Sequence, residues 1–180
     1  MNNTTQQYQS IKEICRDVFL KKMQDYGTAW RILRGQSLTD QIYIKARRIR
    51  SIEETGVNKV QEDVRGEFIG IINYAVIGLI QLEKTPSDEN MDVDSALELY
   101  NKWFDKAEKL MEAKNHDYGE AWRNMRTSSY TDLILMKLKR VKQIEDNQGQ
   151  TVVSEGIGAN YLDITNYAVF AMIKTEFSNT

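Results

Sequence analysis

Apolar residues recur at three- and four-residue spacing along most of the chain, while the strict alternation of a strand is weak everywhere. In residues 7–23, Ile11, Cys15, Val18 and Phe19 fall on one helical stripe. The same stripe returns in residues 95–115 with Trp103, Ala107, Leu110 and Met111, and Ser95-Ala96-Leu97-Glu98 reads as a capping box at its start. Asp-Tyr-Gly ends each of these helices, because glycine can take a positive φ, and a short helical piece is predicted over 29–33 and 121–125. The next helix is predicted over 39–55 and 131–147. Thr39 or Thr131 would be its N-cap, Asp40 or Asp132 would sit at its positive end, and Gly56 or Gly149 would lie just past its other end. The last helix is predicted over 62–82 and from about 155 to 175.

These coincidences are a duplication. Lys-x-x-Asp-Tyr-Gly-x-Ala-Trp-Arg occurs at Lys22–Arg31 and again at Lys114–Arg123, 92 residues later. Arg34, Thr39, Lys45, Arg48 and Glu53 recur as Arg126, Thr131, Lys137, Arg140 and Glu145. After one inserted residue near Asn147, Asn73-Tyr74-Ala75-Val76 recurs as Asn166-Tyr167-Ala168-Val169. Residues 1–84 thus form a first repeat, 85–94 a linker holding Pro86, the only proline, and 95–180 a second repeat. Three helices of about 75 residues bury little surface alone, so the repeats are expected to pack on each other as one domain. The expected fold is all-α: a pseudo-two-fold bundle of two three-helix repeats, standing in for a homodimer.

Composition narrows the function by exclusion. The 180 residues carry 24 basic and 26 acidic side chains, a net charge of −2, which gives no support to a nonspecific nucleic-acid binder. A single cysteine, Cys15, excludes an internal disulfide and a cysteine zinc cluster, and suits a reducing compartment. Residues 1–9 lack the basic start and apolar core of a signal peptide, and apolar runs such as 75–80 are too short to span a bilayer. The expectation is a cytoplasmic protein without a membrane partner.

Candidate chemistry lies where polar residues interrupt apolar stripes. Lys45 falls in the stripe of Ile42, Ile49 and Ile52, with Arg48 beside it; Lys137 and Arg140 repeat this among Ile134, Val141 and Ile144. Lys22 and Lys114 continue the buried face of the first helix of each repeat. A basic pair facing a bundle interior has to meet anions, because an unpaired buried charge is costly. On the last helix, Glu155, Asp163 and Asn166 are spaced to share a face. Glu62 and Asn73 match in the first repeat, but Gly70 stands for Asp163, and Glu67 for Asn160. The alternative is internal: Lys45 with Asp25 and Lys137 with Asp117 as register-fixing ion pairs, and Asn73 and Asn166 as caps of neighbouring helices. Trp30 and Trp122, with Tyr26 and Tyr118, could stack on a nucleobase, but both tryptophans are read as core plugs, His116 as solvent-exposed, and Cys15 as a buried small residue. No glycine-rich phosphate loop or zinc spacing is present.

Lys114-Asn115-His116-Asp117-Tyr118-Gly119, the Lys137–Arg140 helix, and Glu155 followed by Asp163-x-x-Asn166-Tyr167-Ala168 resemble the nucleotide modification associated domain 1 family, which is associated with DNA-base modification in phages and bacteria. Its three-helix units are similar to the all-α nucleoside triphosphate pyrophosphatases of the MazG and dimeric dUTPase type, which hold Mg²⁺ with Glu-Glu-x-x-Glu on one helix and Glu-x-x-Asp on the next. Here Lys45 and Arg48 occupy the middle helix instead, and the second motif is split between Glu67 and Asp163. The resemblance implies a MazG-like bundle that binds a nucleotide or other phosphate-bearing small molecule, with Mg²⁺-dependent hydrolysis of its phosphoanhydride left open. Lys114, Lys137 and Arg140, and in the first repeat Lys22, Lys45 and Arg48, would contact phosphates; Asn166 and Asn73 would position the ligand. Asp117, Glu155 and Asp163 would orient water or hold metal, with Glu62 and Glu67 as the metal ligands of the first repeat. The second repeat, which keeps Asp163, is the favoured site. The rival expectation is a non-catalytic structural or interaction module. A homo-oligomer is compatible with either.

Overall fold

The computed structural model describes residues 3–57 and 63–177. Six helices occur in them: α1 (Asn3–Tyr26), α2 (Gly35–Thr55), α3 (Val64–Lys84), α4 (Val93–Tyr118), α5 (Thr127–Asp146) and α6 (Ile157–Glu176). Short 3₁₀ turns at Ala29–Ile32 and Ala121–Asn124 join α1 to α2 and α4 to α5. The expected all-α bundle of two three-helix repeats is present, with no strand among the described residues.

Helices α3 and α6 are apolar on almost every side, and they pack against each other at the centre. Each is flanked by the amphipathic helix of its own repeat, α2 on α3 and α5 on α6, and α2 also packs on α5. Helices α1 and α4 cover the central pair from the other side and contact both repeats. By length and composition α3 could cross a membrane, but most of it is buried inside the bundle, as suits the core helix of a six-helix packing. The apolar stretch is therefore longer than the run at 75–80 suggests. At the centre the backbones come close: a Cβ on Gly78 of α3 would stand 2.8 Å from the Tyr161 ring of α6.

The repeats are tied by reciprocal hydrogen bonds. Tyr8 of α1 donates to Asn166 Oδ1 (2.7 Å), and the asparagine donates to the Ala107 carbonyl (3.0 Å). Tyr100 of α4 donates to Asn73 Oδ1 (2.7 Å), and Asn73 donates to the Cys15 carbonyl (3.1 Å). Thr39 bonds to Glu145 (2.7 Å) and Thr131 to Glu53 (2.9 Å). Every buried polar group in these pairs thus has a partner, which is the condition for placing them in a core.

Several expected boundaries move for local reasons. Helices α2 and α5 begin four residues early, so Thr39 and Thr131 lie inside them rather than capping them; Thr39 Oγ1 reaches back to the Gly35 carbonyl (3.1 Å). Asp40 therefore lies in the second turn, where it pairs with Lys142 across the repeats (2.9 Å). Asp92, not Ser95, caps α4: its carboxylate accepts from the Ser95 amide (2.9 Å) and hydroxyl (2.6 Å). Asp-Tyr-Gly ends α1 and α4 as expected, with Gly27 at φ 61° and Gly119 at φ 62°, a conformation glycine adopts without strain. The elbow after it is held in each repeat by the same position of the last helix. Gln81 donates to the carbonyls of Arg31 (2.7 Å) and Leu33 (2.8 Å), and Lys174 donates to that of Arg123.

Candidate functional site

Each repeat has a cleft between the end of its first helix, the 3₁₀ elbow, and the inner face of its last helix. The second-repeat cleft is small, about 140 Å³. Its polar side is an ion triad. Asp163 is buried, and its two oxygens receive Lys114 Nζ and Lys137 Nζ, each at 2.7 Å. Burial by itself would raise the Asp163 pKa, but the hydrogen bonds and charges of the two lysines outweigh it and hold the carboxyl below its ordinary value. Lys114 is shifted up in turn: burial opposes, and the bond to Asp163 prevails.

The first-repeat cleft is built from equivalent residues and is about 710 Å³, within the range of small-molecule sites. Here Gly70 occupies the place of Asp163, so α3 offers bare backbone where α6 offers a carboxylate. Lys45 lies across that gap: a Cβ on Gly70 would come 2.8 Å from its Cε. Lys45 Nζ also faces the Tyr74 ring (5.9 Å to its centre) and lies 3.4 Å from the buried Glu67 carboxylate. Glu67 in turn pairs with Arg48. Lys22 borders the cavity with no ion-pair partner among the described residues. Phe19, Tyr26 and Trp30 supply an aromatic wall, with Tyr26 largely exposed. The lining thus combines basic, acidic and aromatic side chains.

The internal ion pairs expected from the spacing exist with different partners. Lys45 meets Glu67 rather than Asp25, and Lys137 meets Asp163 rather than Asp117. Asp25 and Asp117 stand on the exposed face of the last turn before the glycine; among the described residues Asp117 meets only His116 (3.2 Å), which is itself exposed as expected. Glu155 precedes α6, so the three-turn spacing that put it on one face with Asn166 does not apply; it is exposed and acts on Lys114 only through its charge. Arg140 is exposed, without an ion-pair partner among the described residues, because Asn160 replaces the glutamate that holds Arg48. Asn73 and Asn166 cap no helix; their side chains are spent on Tyr100 and Tyr8 and on backbone carbonyls of α1 and α4. Glu62 lies outside the described residues.

Trp122 is core, stacked on Phe170 (4.2 Å between ring centres), and Trp30 packs beside Phe19. Both indole N–H groups are buried without a hydrogen-bond partner among the described residues. Cys15 is buried, and burial pushes its thiol pKa far up, so it is no nucleophile.

A Mg²⁺ centre does not fit the described donor set. Among the described residues no three of His, Cys, Asp and Glu converge where they could hold a metal ion. The two buried carboxylates that remain from the expected set, Glu67 and Asp163, are already neutralised by Lys45 with Arg48 and by Lys114 with Lys137.

In the second repeat, the expected site, Asp163 itself meets both lysines and borders a smaller cleft than that of the first repeat. Of the cavity residues, Tyr26 is a base-stacking candidate by sequence, while Tyr74 carries no such signal and Gly70 stands out only by its mismatch with Asp163.

Comparison with curated proteins and with solved structures gives no match. The family model described as nucleotide modification associated domain 1 matches twice, over residues 22–82 and 114–175, each time from the cleft lysine at the end of the first helix into the last helix. Most residues lining the two clefts lie within the matched segments, with Val18, Phe19 and Met111 just before them, and the chain belongs to the nucleotide modification associated domain 1 family.

Proposed function

We propose that the chain binds a nucleotide in the first-repeat cleft, with the base against the aromatic wall and the phosphate between Lys22 and Lys45. One observation carries this reading. In the second repeat a carboxylate bridges Lys114 and Lys137, while in the first repeat the equivalent Lys22 and Lys45 border an open cavity over Gly70. Asp163 is an internal stand-in for the anion that the first repeat takes from solution. Lysine is suited to this role as a point charge with three donors, and Tyr26 and Trp30 suit the flat face of a base. The description of the family is in keeping with a nucleotide ligand. The likeness to MazG-type pyrophosphatases, a resemblance of sequence, points to the same ligand class. The hydrolytic part of that likeness draws no support from the donor set, and the proposal is one of binding.

The test is calorimetric titration of the full chain with deoxynucleotides, repeated with Lys22→Ala and Lys45→Ala. Binding lost in both variants while their thermal unfolding stays cooperative supports the site. If no deoxynucleotide or ribonucleotide binds or raises the Tm, the rival reading holds: a structural or interaction module whose buried charges serve only its own packing.

A further inference from the structure

We infer that the ligand carries a single terminal phosphate, so that the preferred class is nucleoside monophosphates rather than triphosphates. This rests on the nucleotide reading of the first-repeat cleft and narrows it.

The second repeat shows what its lysine pair is built to hold. Asp163 is one compact anion, each of whose two oxygens meets one ammonium at 2.7 Å. A phosphate monoester reproduces that pattern with two of its terminal oxygens and leaves the third towards the cleft mouth. Charge decides the rest. Among the described residues that line the first-repeat cavity, Lys22 and Lys45 are basic and Glu67 and Asp63 acidic, and Glu67 is shared with Arg48. The described lining thus offers two ammonium groups to an anion. A monophosphate dianion matches those two groups, whereas a triphosphate would bring two further phosphates with no further cation among the described lining residues to meet them. Those phosphates would also face Glu67, which is buried, in a cleft where screening by water is reduced. A triphosphate normally brings Mg²⁺ to offset such repulsion, and Glu67, the buried carboxylate here, is already paired with Lys45 and Arg48.

The experiment titrates the full chain with one deoxynucleoside as its free nucleoside, mono-, di- and triphosphate, each with and without Mg²⁺, for each of the four bases. The expected result is a monophosphate Kd at least tenfold below those of the nucleoside and the triphosphate, unchanged by Mg²⁺, and weakened by Gly70→Asp. A triphosphate that binds as tightly or more tightly, with or without Mg²⁺, overturns the monophosphate inference and leaves the nucleotide reading standing. Failure of every nucleotide to bind overturns the reading on which it rests.

Discussion

Replacing Gly70 by aspartate should turn the first repeat into a copy of the second. The new Cβ would stand 2.8 Å from Lys45 Cε and 2.9 Å from its Cδ. Those atoms belong to the far end of a flexible side chain, so Lys45 can swing aside, as Lys137 sits beside Asp163. The introduced carboxylate would then bridge Lys45 and Lys22 where the ligand phosphate is proposed to lie. Hydrogen bonds to charged groups contribute about 1.5–3 kcal/mol each. Two such contacts are denied to the ligand, but Lys22 is exposed, which lowers its share. A net loss of about 2–4 kcal/mol is expected, on the order of 30- to 700-fold in Kd. Stability should move little or rise, since a glycine leaves a helix interior, a change worth at most about 0.5 kcal/mol. Calorimetric titration beside thermal denaturation separates the two effects, and Gly70→Asn supplies the same bulk without the charge. Wild-type affinity in Gly70→Asp would refute the placement of the ligand anion between Lys22 and Lys45. Equal losses in the aspartate and asparagine variants would show that bulk, not charge, closes the cleft.

Asp163→Asn should cost about 1–3 kcal/mol at pH 7, because Lys137, only 12% exposed, loses its carboxylate. The Asp163 pKa is depressed in the fold, so its contribution is present above the ordinary carboxyl value of about 3.9 and is lost as the pH falls through the folded value. Urea unfolding curves of variant and wild type should therefore converge in strong acid, and a gap independent of pH would contradict the ion triad. Glu145 behaves in the opposite sense: burial raises its pKa more than the Thr39 hydrogen bond lowers it. Its ionised form is the one the fold disfavours, so its contribution fades as the pH rises from the ordinary carboxyl value through the folded one. Glu145→Gln should match or exceed wild-type Tm at pH 7 and lose that advantage near pH 4, as read by circular dichroism. Tyr8→Phe should destabilise by about 1–3 kcal/mol, because Asn166 Oδ1 is left buried without its donor, and Tyr100→Phe should do the same through Asn73. A cost below about 0.5 kcal/mol in both, by denaturant unfolding, would remove the reciprocal latch from the account.

What local physics controls was legible in the residues themselves. The stripe of Ile11, Cys15 and Phe19, the glycine after each Asp-Tyr and the proline linker determine helices, elbows and repeat boundaries, because each depends on near neighbours along the chain. Boundaries slipped where two local signals competed, as at Ser95 beside Asp92 and at Thr39 four residues into α2. That Lys45, Arg48 and Lys137 must meet anions also followed from their place in an apolar stripe, since an unpaired charge there is too costly. Which anions they meet did not follow. Partner choice is decided by which helix faces which, and α2 lies on α3 and α5 on α6, so Glu67 and Asp163 take the lysines while Asp25 and Asp117 stay in solvent. The open cleft belongs wholly to tertiary structure. One position, glycine on α3 and aspartate on α6, leaves one lysine pair to border a cavity and fills the other, because a carboxylate held by two ammonium groups leaves no room or charge for a ligand.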